Sequence, residues 1–224
     1  MIKKKINIIV NTKVGYDSYV KFLSEKYDVN VIDCLKWNGE TISLVLFTGG
    51  EDVCPQYYSQ NVGEYTKYNL ERDKFEKEYL FNNFPDVPKL GCCRGSQFLT
   101  VLSGGRLIQH VEGHATGQLH AIEMNGPLLG NIYNITSTHH QMMYPFKMKE
   151  DSYQLVAFSK YFLSGVYLNG DNENIELPKD FLEPEIVYYP KTKSLCIQGH
   201  PEMTGCPNDT KDMVFRMIDY FLKI

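Results

Sequence analysis

No apolar run in the sequence approaches the ~20 residues that a membrane-spanning helix needs. A secretory leader is not read either. Lys3-Lys4-Lys5 precedes only Ile6 to Val10 before polar Asn11 and Thr12 interrupt, too short for a leader's apolar core. Basic charge is in short supply: 23 Lys+Arg stand against 27 Asp+Glu in 224 residues, for a net charge of -4. The concentrated basic excess that phosphate binding requires is therefore missing, and neither nucleic acid nor a membrane is the expected partner. Paired CxxC spacings are also absent among Cys34, Cys54, Cys92, Cys93, Cys196 and Cys206. A zinc ribbon is thereby excluded, and a chain of this length has core enough to do without disulfide staples. The expected compartment is the cytoplasm, with reduced thiols that mostly pack as small hydrophobes. Tryptophan occurs once, whereas the 16 Tyr and 12 Phe read as packing rather than as a base-stacking platform.

What is present is a rhythm of short apolar runs. Ile6 to Val10, Val29 to Ile32, Ile42 to Phe47, Val87 to Cys92 and Leu195 to Gln198 read as strands. Helical spacing appears over Asp17 to Lys26, over Leu70 to Phe81, and over Thr210 to Leu222 behind the N-cap candidates Asn208 and Asp209. Strands alternating with helices predict an α/β fold, a mostly parallel sheet covered on both faces, with chemistry at the carboxyl ends of the strands. Ser159 to Pro184, rich in Asn, Gly and Asp, reads as a long surface excursion of the kind that serves as a binding loop or lid. No repeat or linker divides the chain, so residues 1–224 are expected to form one domain.

Gly91-Cys92-Cys93-Arg94-Gly95 follows one apolar run and precedes the helix-like Gln97 to Leu102. Glycines two positions either side of a pivot relieve crowding where a strand turns sharply into a helix. This is a nucleophile elbow with Cys93 at the pivot. A helix N-terminus there favours thiolate, and the Arg94 N–H would face a developing oxyanion. The same residues also fit a plain Gly-flanked turn with two packed cysteines. Gln198-Gly199-His200-Pro201-Glu202 ends another apolar run and brings a base, His200, with a carboxylate to orient it, Glu202. Alone, His200 reads better as a residue that caps a loop; with Cys93 on its elbow the balance shifts to a base. Thr48-Gly49-Gly50-Glu51-Asp52 ends a third run, where the Gly50 N–H offers a second oxyanion donor or simply an ordinary turn. His110, His114 and His120 are too irregularly spaced to predict a metal site.

Taken together, Thr48-Gly49-Gly50-x-Asp52, Gly91-x-Cys93-Arg94-Gly95-x-Gln97 and His200-Pro201-Glu202 resemble the class I glutamine amidotransferases. Further likeness is to the free-standing γ-glutamyl hydrolase (peptidase C26-type) branch. It runs through Gly49 to Tyr58, Arg72-Asp73-x-x-Glu76, Gly104-Gly105-x-Leu107-x-Gln109-His110 and Ser137-x-His139-His140-Gln141. The motifs are co-linear from about residue 40 to 203. The resemblance implies a flavodoxin-like three-layer αβα sandwich and a Cys93–His200–Glu202 triad. It also implies an oxyanion hole from Gly50 and Arg94, with Gln97, His139, His140 and Gln141 gripping the glutamyl group. Neither cofactor nor metal is implied, and His110 becomes a structural or pocket-edge residue. Gly199 departs from the bulky residue usual before His-Pro-Glu, which implies looser packing behind His200. The Ser159 to Pro184 segment matches the family poorly and leaves the leaving-group pocket unread.

Three functions follow as expectations. The first is a hydrolase that cleaves the γ-glutamyl amide of an amine or nucleotide-amidate conjugate, through a thioester, to release glutamate. The second is a glutaminase subunit supplying ammonia to a separate synthetase. The third is an inert binding domain on the same fold. The partners expected are a small γ-glutamyl substrate or glutamine, and a second copy or a synthetase.

Overall fold

The computed structural model describes residues 2–126 and 130–224. Its strands and helices run β1 (Lys5–Val10), α1 (Asp17–Lys26), β2 (Asp28–Asp33), β3 (Leu44–Phe47), α2 (Leu70–Phe75), β4 (Lys89–Cys92) and α3 (Arg94–Leu102). There follow β5 (Arg106–Ile108), β6 (His110–Val111), β7 (Leu119–Met124), β8 (Ile132–Thr136), β9 (Met142–Tyr144) and β10 (Gln154–Ser159). The chain closes with β11 (Tyr167–Leu168), β12 (Pro184–Tyr189), β13 (Ser194–Ile197) and α4 (Asn208–Met217).

Among the described residues nine strands make one sheet, in the order β2-β1-β3-β4-β13-β12-β10-β7-β8. The first five are mutually parallel and are the five apolar runs read from the sequence. From β13 onward each neighbour is antiparallel. The central parallel strands β3, β4 and β13 are buried on both faces because both are covered, whereas edge strand β2 exposes Asp28 and Asn30. Ile6, Ile8 and Val10 of β1 meet Phe22, Leu23, Val214 and Phe215 of α1 and α4, while Ile9 points into the opposite core with Phe98 and Leu99 of α3. Leu44 and Leu46 alternate in the same way with Val45 and Phe47. The result is the three-layer α/β sandwich.

Helix α2 is capped by the Asn69 side chain, which accepts from the Arg72 N–H at 3.1 Å, and it continues as a π-helix over Glu76–Asn82. Helix α4 begins one step earlier than its cap candidates. Pro207 is the flanking residue, Asn208 is already helical, and Asp209 accepts the Thr210 N–H at 2.9 Å. The 159–184 excursion is anchored rather than free. β11 pairs with β6, Tyr167 and Phe181 are buried among Ile108, Val111, Met142 and Tyr144, and the Glu183 carboxylate accepts the Leu163 and Ser164 N–H groups.

Candidate active site

Three parallel strands end side by side, and the candidate residues sit just beyond their carboxyl ends. Cys93 follows β4 with φ +51° and ψ -116°, a left-handed conformation that strains a residue with a Cβ. Its N–H donates to the Ile197 carbonyl of β13 at 2.8 Å, and helix α3 starts at the next residue. The flanking glycines are sterically required. A Cβ on Gly91 would lie 2.7 Å from the Gly95 carbonyl, and one on Gly95 would overlap the Phe47 carbonyl oxygen outright. These contacts force the elbow. Being first in α3, the Arg94 N–H has no carbonyl of its own helix to bond. Cys93 keeps 7% exposure, whereas Cys92 points into the core, where burial first and Glu202 second push its thiol well up.

Beyond β13, the His200 N–H donates to the Thr136 carbonyl at 3.0 Å, fixing the turn. Its Nδ1 donates to Glu202 Oε1 at 2.7 Å, and Nε2 is 2.7 Å from the Thr138 hydroxyl. Burial disfavours the imidazolium, but the neighbouring Cys93 sulfur and Glu202 carboxylate outweigh it, and the pKa is raised to about 10. An imidazole, a carboxylate and a thiol thus share one electrostatic unit. Thr138 was not legible in the sequence, since a hydroxyl between two histidine motifs carries no signal of its own. The packing behind His200 is not loose. Ile135 is fully buried where a larger residue at 199 would stand, and a Cβ on Gly199 would meet it at 2.7 Å.

The Gly49–Gly50 turn beyond β3 closes the site. A Cβ on Gly49 would come within 3.3 Å of His200 Cε1 and 3.6 Å of Cys93 Cβ, which places the turn against both. The Gly49 N–H donates to the Tyr19 hydroxyl of α1 at 3.0 Å. Burial first, and Glu202 next, drive that hydroxyl's pKa far above the ordinary tyrosine range, so it stays neutral. Gly50 has φ +141° and lies against the Arg72 guanidinium, which leaves no room for a side chain. Arg72 donates to the Thr48 and Gly49 carbonyls at 3.1 and 2.9 Å and to Glu76 at 2.8 Å. Glu76 and Asp73 in turn pair with the buried Arg94 guanidinium. The Arg72-Asp73-x-x-Glu76 motif is therefore a buried clamp tying α2 to both the elbow and the Gly-Gly turn.

The four residues expected to grip a glutamyl group lie beside one another. Gln97 donates to the Gln141 carbonyl at 2.8 Å, and His139 Nδ1 donates to the same oxygen at 2.8 Å. Gln97, His139 and Gln141 are buried, and burial holds the His139 imidazole well below its usual pKa, in the neutral form. His140 is half-buried, 3.0 Å from Asp52. His110 stacks on Tyr65 at the edge, ring centres 4.0 Å apart. His114 and His120, despite their irregular spacing, converge with Glu185 of β12, His120 Nε2 standing 2.8 Å from Glu185 Oε1. That meeting depends on the antiparallel strands and is invisible to spacing.

A family model described as Peptidase C26 matches residues 33–160. Protein NtpR of Enterococcus hirae is 28% identical over 205 residues, 82% of this chain and 75% of its own. A Thermoplasma acidophilum chain provisionally described as part of a GMP synthase superposes with TM-score 0.63 at 16% identity, over 97% of this chain and 94% of its own. A glutamine amidotransferase from Thermotoga maritima superposes with TM-score 0.55 at 15% identity, over 100% and 84%. At such identities the two solved structures establish the fold. No described helix is long and apolar enough to cross a membrane.

Proposed function

The chain belongs to the Peptidase C26 family, within the class I glutamine amidotransferase-like superfamily of hydrolase and amidotransferase-type enzymes, and from that premise we propose that it hydrolyses a small γ-glutamyl conjugate. Residues 1–224 act as one catalytic domain in this reading. The observation that carries it is His200, set between Cys93 and Glu202 with its pKa raised to about 10, so that a thiol, an imidazole held in its protonated form and a carboxylate stand in the order a cysteine nucleophile requires.

In the first half-reaction the Cys93 thiolate attacks the γ-carbonyl carbon. The carbonyl electron pair moves onto oxygen, which accepts hydrogen bonds from the Gly50 and Arg94 N–H groups. Collapse of this oxyanion breaks the C–N bond as His200 Nε2 gives its proton to the departing nitrogen, leaving a γ-glutamyl thioester. Water then yields a proton to His200 while its oxygen attacks the thioester carbon. Glutamate leaves, and the Cys93 thiolate and His200 imidazolium are restored. Glu202 holds the Nδ1 proton throughout and balances the imidazolium charge. Gln97 and the stretch from His139 to Gln141 position the glutamyl α-amino and α-carboxylate groups in this scheme.

The test is glutamate release from a panel of γ-glutamyl amines and nucleotide amidates, run beside free glutamine. Turnover of a conjugate well above glutamine is the expected result. Rapid turnover of glutamine alone would favour the second reading, a glutaminase delivering ammonia to a synthetase, for which the likeness to a chain described as part of a synthase is the support. Failure on every substrate, with Cys93 inert to a glutamine-mimicking electrophile, would favour the binding domain.

A further inference from the structure

We infer that His114, His120 and Glu185 bind a divalent transition-metal ion of the zinc type, at a site separate from Cys93, with Glu183 orienting His114 from behind. The three donors come from three places: the loop after β6, strand β7 and strand β12. Their ligand atoms all lie within 4.8 Å of one another. His120 Nε2 is 2.8 Å and His114 Nδ1 is 3.6 Å from Glu185 Oε1. Zn–N and Zn–O bonds of 2.0–2.2 Å in tetrahedral geometry set donor atoms about 3.4 Å apart, between these two separations. Two imidazoles and a carboxylate are also the donor set that zinc selects.

The backbone aims Glu185 at this point. Ala157 pairs with Ile186 and Phe158 with Pro184, so Glu185 is the extra residue of a β-bulge, the device that redirects a strand side chain. On the far side of the His114 ring, Nε2 lies 3.2 Å from Glu183 Oε2. A carboxylate behind a histidine fixes which nitrogen carries the proton and presents the other as a lone pair, the usual outer partner of a metal-binding imidazole. Glu183 is itself held by the Leu163 and Ser164 N–H groups and by the Tyr167 hydroxyl at 2.8 Å.

Hydrogen bonding leaves the cluster incomplete. His114 is fully buried, yet its Nδ1 makes no hydrogen bond with the described residues, and His120 Nδ1 and Glu185 Oε2 have no partner among them. Buried polar atoms are rarely left so, and several in one place call for a ligand. A divalent cation would neutralise the Glu183 and Glu185 carboxylates while both imidazoles stay uncharged. Bound there, it would brace β7 and β12 against the 159–184 segment past the end of β10.

The experiment strips the purified full chain with a chelator, adds Zn2+ alone, and reads bound zinc by elemental analysis and the melting temperature in parallel. The expected result is one Zn2+ per chain with a zinc-dependent rise in melting temperature, unchanged in Cys93→Ser. His120→Ala and Glu185→Gln should lose both signals, and Glu183→Gln should weaken binding about 10–100-fold. No uptake and no thermal shift in the wild type would overturn the inference, as would full stoichiometry in His120→Ala. His120 lies at the edge of the cluster with 11% of its side chain exposed, so that variant decides the matter even where Glu185→Gln fails to fold. Zinc uptake is read without substrate, so its failure leaves the Cys93 reading untouched.

Discussion

The two halves of the sheet solve different problems. The parallel half, β2-β1-β3-β4-β13, is apolar at its centre, and the turns beyond β3 and β4 are shaped by close contacts at Gly49, Gly91 and Gly95. The antiparallel half, β12-β10-β7-β8, carries buried charge instead: Glu183 and Glu185 against His114 and His120. One half fixes its turns by exclusion of volume, which tolerates no adjustment, with the Arg72–Asp73–Glu76–Arg94 clamp behind them. The other does so by polar pairing, which can respond to protons or ions. Besides pairing along β13 and β12, the halves meet at His200, whose N–H and ring are held by Thr136 and Thr138 at and just past the end of β8.

The largest effect should come from the parallel half. Cys93→Ala should reduce turnover by at least about a thousandfold while the fold is retained, since members of a triad act as one unit. Cys92→Ser should keep substantial activity, and a dead Cys92→Ser beside an active Cys93→Ala would place the elbow one residue off. Next, Gly95→Ala should cost about 3 kcal/mol or more by denaturant unfolding, because its methyl would overlap the Phe47 carbonyl. A mild loss there would mean that the parallel half is less rigid than its contacts imply.

The pH dependence follows from His200. Its folded pKa, about 10, lies above the ordinary value of about 6.5, so the stabilisation is fully present below about pH 6.5 and is lost as pH rises through about 10. Removing the sulfur in Cys93→Ser should flatten this decline. Urea titrations of both proteins across that window check the sign, and parallel curves would disconnect Cys93 from His200.

The seam between the halves can be probed by a double-mutant cycle. Gly199→Ala should cost about 1–3 kcal/mol through overlap with Ile135, and much of that cost should vanish in an Ile135→Ala background. Additive losses would show that the halves do not meet there. The smallest effect is expected at Thr138, which is exposed. Thr138→Val should alter kcat/KM by the severalfold that about 1 kcal/mol allows, with a shifted pH profile, while Thr138→Ser restores both. An unchanged profile in Thr138→Val would remove the antiparallel half from the chemistry.

The same division governs what could be read from the chain beforehand. All five parallel strands were legible: the central ones, buried on both faces, are near-continuous apolar runs, and the edge strand β2 keeps Val29, Val31 and Ile32 together. β7 (Leu-His-Ala-Ile-Glu-Met) and β8 (Ile-Tyr-Asn-Ile-Thr) were not, since His120, Glu123 and Asn134 interrupt them. Cys93, His200, Glu202 and Gly50 were legible because glycine and strand ends punctuate the parallel half. Thr138, Tyr19 and the Glu183–Glu185 pair act through contacts made by distant segments, and no local pattern announces them. The looseness expected behind Gly199 failed for the same reason: Ile135 fills that space from a strand that the sequence pattern does not reveal.

The clamp of Arg72, Asp73, Glu76 and Arg94 bears on how the protein can vary. Arg94 contributes its backbone to the elbow and its guanidinium to two buried carboxylates. Removing one partner of a buried ion pair leaves an uncompensated charge, at about 3–5 kcal/mol. Viable changes at these four positions must therefore arrive together. In a saturation library they should appear as a single inherited block, nearly blank in single-substitution data, through which neutral drift has no one-step path.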